Sequence, residues 1–190
     1  VKISAVILAG GKSSRMGRDK AFLEFEGQTL LARQIALARA AGAGEIFIAG
    51  RSDVEYAEFD CPILNDKFQN AGPLAGIERA LDSASTPHLL VLAVDLPGMH
   101  IKFLRRLLAL CRANLGAIPR IGSQTEPLAA VYPKVARPLA EGLLRDGNNR
   151  AGTFAERCVE SNLAQFVACD ENELELFANW NSPGDIHVSA

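Results

Sequence analysis

The stretch ISAVILAGGKSSRMGRDK, residues 3–20, decides the fold. Ile3 to Leu8 is β-branched and aliphatic, then breaks at Gly10-Gly11, which predicts a buried strand running into a tight turn. Charge follows at once: Lys12, Arg15, Arg18, Asp19 and Lys20 make five charged residues out of the nine from 12 to 20. A glycine pair lets the backbone approach a ligand closely, and consecutive N–H groups there can form an anion-binding concavity. Arg15 adds a planar fork and Lys20 a compact point charge. The pattern is not GxxxxGK[ST], since Lys20 is followed by Ala21, nor is it GxGxxG. A glycine pair alone is better read as a surface turn with solvated charges.

Working outward, the pattern alternates. Leu31, Ile35 and Ala38 recur at helical spacing after Thr29, with Gly42 and Gly44 closing the helix. Strands follow at Glu45 to Ala49 and, briefly, Pro62 to Leu64, which ends in Asn65-Asp66. Gly72-Pro73 opens a helix whose Leu74, Ile77 and Leu81 share a face. His88 to Val94 is the most continuous apolar run, as a central strand buried on both faces requires, and it ends at Asp95. Ile101, Leu104, Leu108 and Cys111 mark the next helix. Beyond residue 112 the pattern loosens, with strands expected at 117–121, 128–132 and 162–168 and a helix at 135–144 despite Pro138. The expectation is an α/β fold with a mostly parallel sheet, as one domain without linker or repeat.

Composition narrows the function. A formal net charge of −2 offers no global basic field for nucleic acid or an anionic membrane, so anion recognition must be local. The four cysteines form no metal spacing and read as buried thiols in a cytoplasmic protein. No apolar run reaches membrane-spanning length, and Val6 to Ala9 is too short for a signal-peptide core. The absent initial Met suggests processing or trimming.

In an open α/β sheet, ligands bind beyond the carboxyl ends of the strands. Residues 10–20, Asn65-Asp66 and Asp95 all belong at such ends. A carboxylate closing a buried strand suits Mg²⁺, which takes one or two carboxylates and fills its shell with water and phosphate oxygens. Asp95 before Pro97-Gly98 also suits a helix cap or turn, and both readings stand at this point.

Six segments carry a resemblance. LAGGKSSRMGRDK resembles the signature loop of nucleotidyltransferases of the MobA type, the molybdenum cofactor guanylyltransferases, and FLEFEGQTLL resembles the segment that follows it. ILNDKFQNAGPLAGI, VLAVDLPGM, EPLAAVY and FANWNSPGD are similar to the later motifs, in the family's order. The resemblance implies a Rossmann-like, three-layer nucleotidyltransferase fold over residues 1–190, with 1–112 taking the nucleotide and 113–190 the acceptor. It implies GMP transfer from GTP to the phosphate of molybdenum-molybdopterin, with release of pyrophosphate. Leu8, Ala9, Gly10 and Gly11 would lie against guanine and ribose, Arg15 and Lys20 would meet the triphosphate, and Asp66 would sit near the nucleoside. Asp95 would hold Mg²⁺; Asn179 and Asn181 would stand near the acceptor. Lys20, Arg15 and Asp95 are the expected catalytic residues.

The double glycine of LAGG resembles guanine-selective members, whereas cytidine-selective relatives tend to show LAAG. A cytidylyltransferase, or another nucleotidyltransferase with a phosphorylated acceptor, is therefore the alternative. A non-catalytic nucleotide-binding module ranks below both, because neither Asp95 nor the phosphate-side cations are missing. Arg120, Arg150 and Lys102 are basic candidates for the acceptor side, with Arg150 beside the loop-like DGNN preferred. A molybdoenzyme or delivery chaperone is the partner such an activity implies. The ending GDIHVSA is shorter than the C-terminal helix expected by resemblance.

Overall fold

The computed structural model describes residues 1–10, 19–68 and 70–180. In chain order its elements are β1 (Ile3–Leu8), a 3₁₀ turn (Lys20–Phe22), β2 (Glu24–Phe25), β3 (Gln28–Thr29), α1 (Leu30–Ala40) and β4 (Ala43–Ala49). There follow α2 (Pro73–Ser83), β5 (His88–Ala93), α3 (Ile101–Leu110), β6 (Gly116–Ile121), β7 (Gln124–Thr125) and β8 (Ala129–Pro133). The chain continues through α4 (Arg137–Arg145), α5 (Ala151–Glu160), β9 (Ala164–Ala168) and a 3₁₀ segment, Glu171–Phe177.

Seven strands form one sheet in the order β4-β1-β5-β8-β6-β7, with β9 pairing β6. β4, β1 and β5 are mutually parallel, as are β6 and β9, while β8 runs antiparallel to both β5 and β6. Strand alternation divides the core in two. Ala5, Ile7, Leu90, Leu92 and Val131 face α1 and α3, whereas Val6, Leu8, Leu89, Val91 and Tyr132 face α2, α4 and α5. The result is the α/β architecture that the alternating pattern predicts, in the three layers that the resemblance implies.

Thr29 caps α1 by accepting from the Ala32 N–H, and Pro73 occupies the first turn of α2, where its missing donor costs nothing. Pro138 is tolerated in the first turn of α4 for the same reason. The short strand at 62–64 reduces to a single bridge, Ile48 to Ile63. Burial pushes the Cys158 thiol up to about 12 and the Cys111 thiol up to about 11, as expected of structural cysteines.

The 171–177 segment crosses the loop between β5 and α3 so closely that only glycine fits beneath it. A Cβ at Gly98 would lie 2.4 Å from the Glu175 carbonyl oxygen, and backbone cannot yield as a side-chain tip does. Gly98→Ala is expected to lower stability by about 1–3 kcal/mol, read as an earlier thermal unfolding transition.

Candidate active site

β1 and β5 lie side by side in register, Leu8 opposite Ala93, so their carboxyl ends open together. The Val94 N–H donates to the Leu8 carbonyl at 3.1 Å and continues that pairing past the strand end. Beyond it lies a cleft of about 210 Å³ lined by Leu8, Ala9, Gly10, Asp19, Lys20, Pro73, Ala93, Val94, Asp95 and Leu128. Within it the Lys20 ammonium donates to Asp95 Oδ2 at 2.9 Å, each side chain 22% exposed. Residues 75 apart in the chain thus place one cation and one carboxylate at a cleft mouth, as a charge-assisted hydrogen bond.

Asp95 is not the cap of α3. His100 performs that role, its Nδ1 accepting from the Phe103 N–H at 3.2 Å, which leaves the Asp95 carboxylate to the cleft. Lys20 is placed by its neighbour: Asp19 caps the 3₁₀ turn by accepting from the Ala21 N–H at 2.9 Å. The other Asp19 oxygen accepts from the hydroxyl of fully buried Tyr56 at 3.4 Å, and that hydroxyl accepts from the Arg51 N–H. Tyr56 stacks on Phe22 at 6.0 Å, so the turn carrying Lys20 is pinned to the loop that leaves β4. Asp19 and Tyr56 escaped the motif reading, although an Asp directly before a helical turn is a cap signal.

The glycine loop behaves differently from expectation at Gly10. Its N–H, like that of Ala9, donates to the Ala49 carbonyl, at 3.0 and 2.9 Å, so it is already spent within the protein. Gly11, Arg15 and Asn181 lie outside the described residues. Asn179 is exposed and does not line the cleft; it precedes Trp180, whose N–H donates to the Asp95 carbonyl at 3.0 Å.

Asp66 does not line this cleft. It borders a second depression with Gly50, Ser52, Leu64, Asn65 and Asn70, beyond the end of β4. Desolvation raises its carboxyl pKa, and the charge of Glu78 adds to the effect. Arg150 borders a third, open depression with Asp146, Gly147, Asn148, Asn149 and Thr153. Arg120 stacks its guanidinium 4.6 Å over the Phe166 ring, and Lys102 is an exposed residue of α3.

Among the described residues no group of three or more His, Cys, Asp or Glu is placed to cage a metal ion. Among those residues two carboxylates line the cleft; the Asp19 oxygens accept from the Ala21 N–H and the Tyr56 hydroxyl, which leaves Asp95 as the hard oxygen donor for an ion there. That donor set fits a divalent ion which brings water and phosphate oxygens with it, and does not fit a closed structural site.

The family profile described as MobA-like NTP transferase domain matches residues 5–161. The chain belongs to the MobA-like NTP transferase family. A protein of Opitutus terrae named "Probable molybdenum cofactor guanylyltransferase" is 39% identical over 186 residues, covering 96% of this chain and 92% of the relative. The crystal structure of molybdopterin-guanine dinucleotide biosynthesis protein A from Archaeoglobus fulgidus superposes with a TM-score of 0.70 at 23% identity, covering 96% of this chain and 94% of that one. The 2-C-methyl-D-erythritol 4-phosphate cytidylyltransferase from Thermus thermophilus gives 0.72 at 20% identity, covering 97% and 95%. The two structures establish the shared MobA-like fold; at those identities they say nothing of the base.

Proposed function

We propose that this chain transfers GMP from GTP to the terminal phosphate of molybdenum-molybdopterin, forming molybdopterin guanine dinucleotide. The observation that carries the reading is the Lys20–Asp95 pair at the paired ends of β1 and β5, in a chain 39% identical to a relative so named. In the transfer, an acceptor phosphate oxygen forms a bond to the α-phosphorus of GTP. The bond from that phosphorus to the bridging oxygen breaks, and pyrophosphate leaves with the electron pair.

The nucleophile is already anionic, so no general base is required. Repulsion between two polyanions is the obstacle. Lys20 neutralises charge at the α-phosphate and the leaving pyrophosphate, with Arg15 as its proposed companion. Asp95 is the residue that would hold Mg²⁺, and the ion, when bound, supplies further neutralisation of the phosphates. Leu8, Ala9, Gly10 and Gly11 take the guanosine side, and Asp66 the nucleoside from the neighbouring depression.

Residues 1–112 serve the nucleotide and 113–190 the acceptor. Two features support that division. Leu128 lines the cleft at the entrance to β8. β8 then carries the chain to the far end of the sheet, where Pro133 pairs with His88, so that α4 returns it to the ligand end at residues 146–150. Arg150 is the basic residue proposed there for the anionic pterin, and Asn179 and Asn181 are proposed for the acceptor on the resemblance alone. The reading places the activity in the cytoplasm, with a molybdoenzyme or chaperone receiving the product and no role for nucleic acid or membrane. No described helix is long and apolar enough to cross a membrane.

Calorimetric titration with GTP, CTP and ATP, with and without Mg²⁺, tests the assignment. GTP is expected to bind at least about tenfold more tightly than CTP, a difference of about 1.4 kcal/mol. A preference for CTP would move the chain to the cytidylyl branch, and no nucleotide binding would remove the catalytic reading altogether.

A further inference from the structure

The Asp95 carboxylate stands on a turn whose backbone is held from outside. Three successive carbonyls of that turn each accept a hydrogen bond from a different residue. The Asp95 carbonyl takes the Trp180 N–H at 3.0 Å, the Leu96 carbonyl takes Gln34 Nε2 at 2.8 Å, and the Pro97 carbonyl takes Arg33 Nε at 3.0 Å. The Met99 N–H also donates to Leu96, which closes the turn on itself. The donors are further tied together. The Arg33 guanidinium lies 5.1 Å over the Phe25 ring and reaches Glu26 at 3.2 Å, while Phe25 meets Trp180 edge-to-face at 5.3 Å.

Gln34 is the informative member. Its neighbours Leu30, Leu31, Ile35 and Ala38 form the apolar face of α1, and Gln34 is buried with them at 0% exposure. A buried amide at an apolar position carries a desolvation cost, here compounded because its Oε1 has no hydrogen-bond partner among the described residues. An aliphatic side chain would serve packing alone at least as well. The Leu96 carbonyl is what the amide is for.

We propose that Arg33 and Gln34, neither of which lines the cleft, are positioning residues that fix the Asp95 carboxylate for its role toward the metal–nucleotide substrate, with Trp180 closing the cradle from the third side. The inference rests on the function proposed above, specifically on Asp95 as the ion's protein ligand. Residues that orient a ligand from behind typically matter by 10–100-fold in metal affinity or activity, because a carboxylate must be held close to its productive geometry.

The test compares Gln34→Met, which keeps the volume and deletes the donor, and Arg33→Lys, which keeps the charge and deletes the planar Nε donor. Asp95→Asn is run beside them. Each is titrated with Mg²⁺ while pyrophosphate release is followed. Thermal unfolding and acrylamide quenching of fluorescence are measured on the same samples; Trp180, the single tryptophan, is 7% exposed and reports on this turn. The expected result is a rise of about tenfold in the Mg²⁺ concentration for half-maximal turnover, a GTP KM near that of the parent enzyme, and easier quenching of Trp180. Variants that unfold earlier yet keep the parent Mg²⁺ requirement and quenching would reduce the cradle to a packing feature and overturn the proposal, with Asp95→Asn inactive and the reading of Asp95 intact. Normal turnover by Asp95→Asn would instead overturn the reading of Asp95 itself.

Discussion

Lys20→Ala is expected to lower turnover by about 10²–10³, or about 2.7–4 kcal/mol of transition-state stabilisation, by analogy with loss of one preorganised oxyanion donor. The effect belongs in kcat more than in the KM for GTP, because charge on the leaving pyrophosphate develops during transfer. The geometry explains why the lysine is ready for that task. Asp95 holds its ammonium at the cleft mouth at 2.9 Å, so its long side chain is already ordered before substrate arrives. Pyrophosphate release at saturating GTP and acceptor measures the loss, and thermal unfolding of the variant checks that the pair is not a fold determinant. Near-normal turnover would remove Lys20 from the mechanism.

The largest stability effect is expected far from the reacting atoms. Glu78, on α2, is fully buried, and Arg137, at the start of α4, donates to its Oε1 at 3.0 Å. The same guanidinium reaches Asp82 at 3.1 Å and Glu141 at 3.4 Å. Lys67, with Arg137 and Arg79, holds the Asp82 carboxyl below its ordinary range, so Asp82 has other support. Among the described residues Glu78 has no cation partner besides Arg137, and its Oε2 is buried there without a hydrogen bond. Arg137→Met therefore strands a carboxylate inside the α2–α4 layer, a situation that typically costs 3–5 kcal/mol. Arg137 is 30% exposed, so water can partly replace it, and the expected loss sits at the low end, about 3 kcal/mol. At roughly 2–4 °C per kcal/mol for a chain of this size, the unfolding midpoint should fall by about 6–12 °C. Adding Glu78→Gln should recover much of it, since removing both charges of a buried pair is often nearly neutral. A single variant as stable as the parent would show that the Arg137–Glu78 contact does not hold the α2–α4 layer together.

Sequence reading reached the elements whose cause is local. The continuous apolar run of β5, the break after Leu8 and the Gly72-Pro73 opening of α2 are each written in adjacent residues. α5 was not anticipated, because its buried face is Ala151, Phe154, Ala155 and Cys158, mostly small residues, with Gly152 and Thr153 weakening the helical signal. The β2–β3 hairpin also escaped notice. Its strands are two residues each, and its turn places Glu26 at φ 49° and Gly27 at φ 76° without the usual Asn-Gly signature.

At the site, the pairing of Lys20 with Asp95 was legible because Asp95 follows β5, Lys20 ends the charged run that follows β1, and strand ends converge in this fold class. That Asp66 opens on a different depression, and that Gly10 gives its N–H to Ala49, follow from how β4 packs beside β1. No local pattern holds that information. The Gln34 and Arg33 bonds to the Asp95 turn, separated by 62 and 64 residues, are of the same kind.

The reversed strand β8 has a consequence for synthesis of the chain. β5 is buried along its whole length, and β1 closes one of its edges as soon as both strands exist. The other edge is closed only by residues 129–133, which leave the ribosome more than thirty residues after β5 is complete. Until then the most apolar strand of the protein offers an open row of N–H and C=O groups to any extended segment nearby, another nascent copy included. Residues 1–112 thus depend on residues 113–190 to complete the sheet: translation must run past Pro133 before its centre is protected.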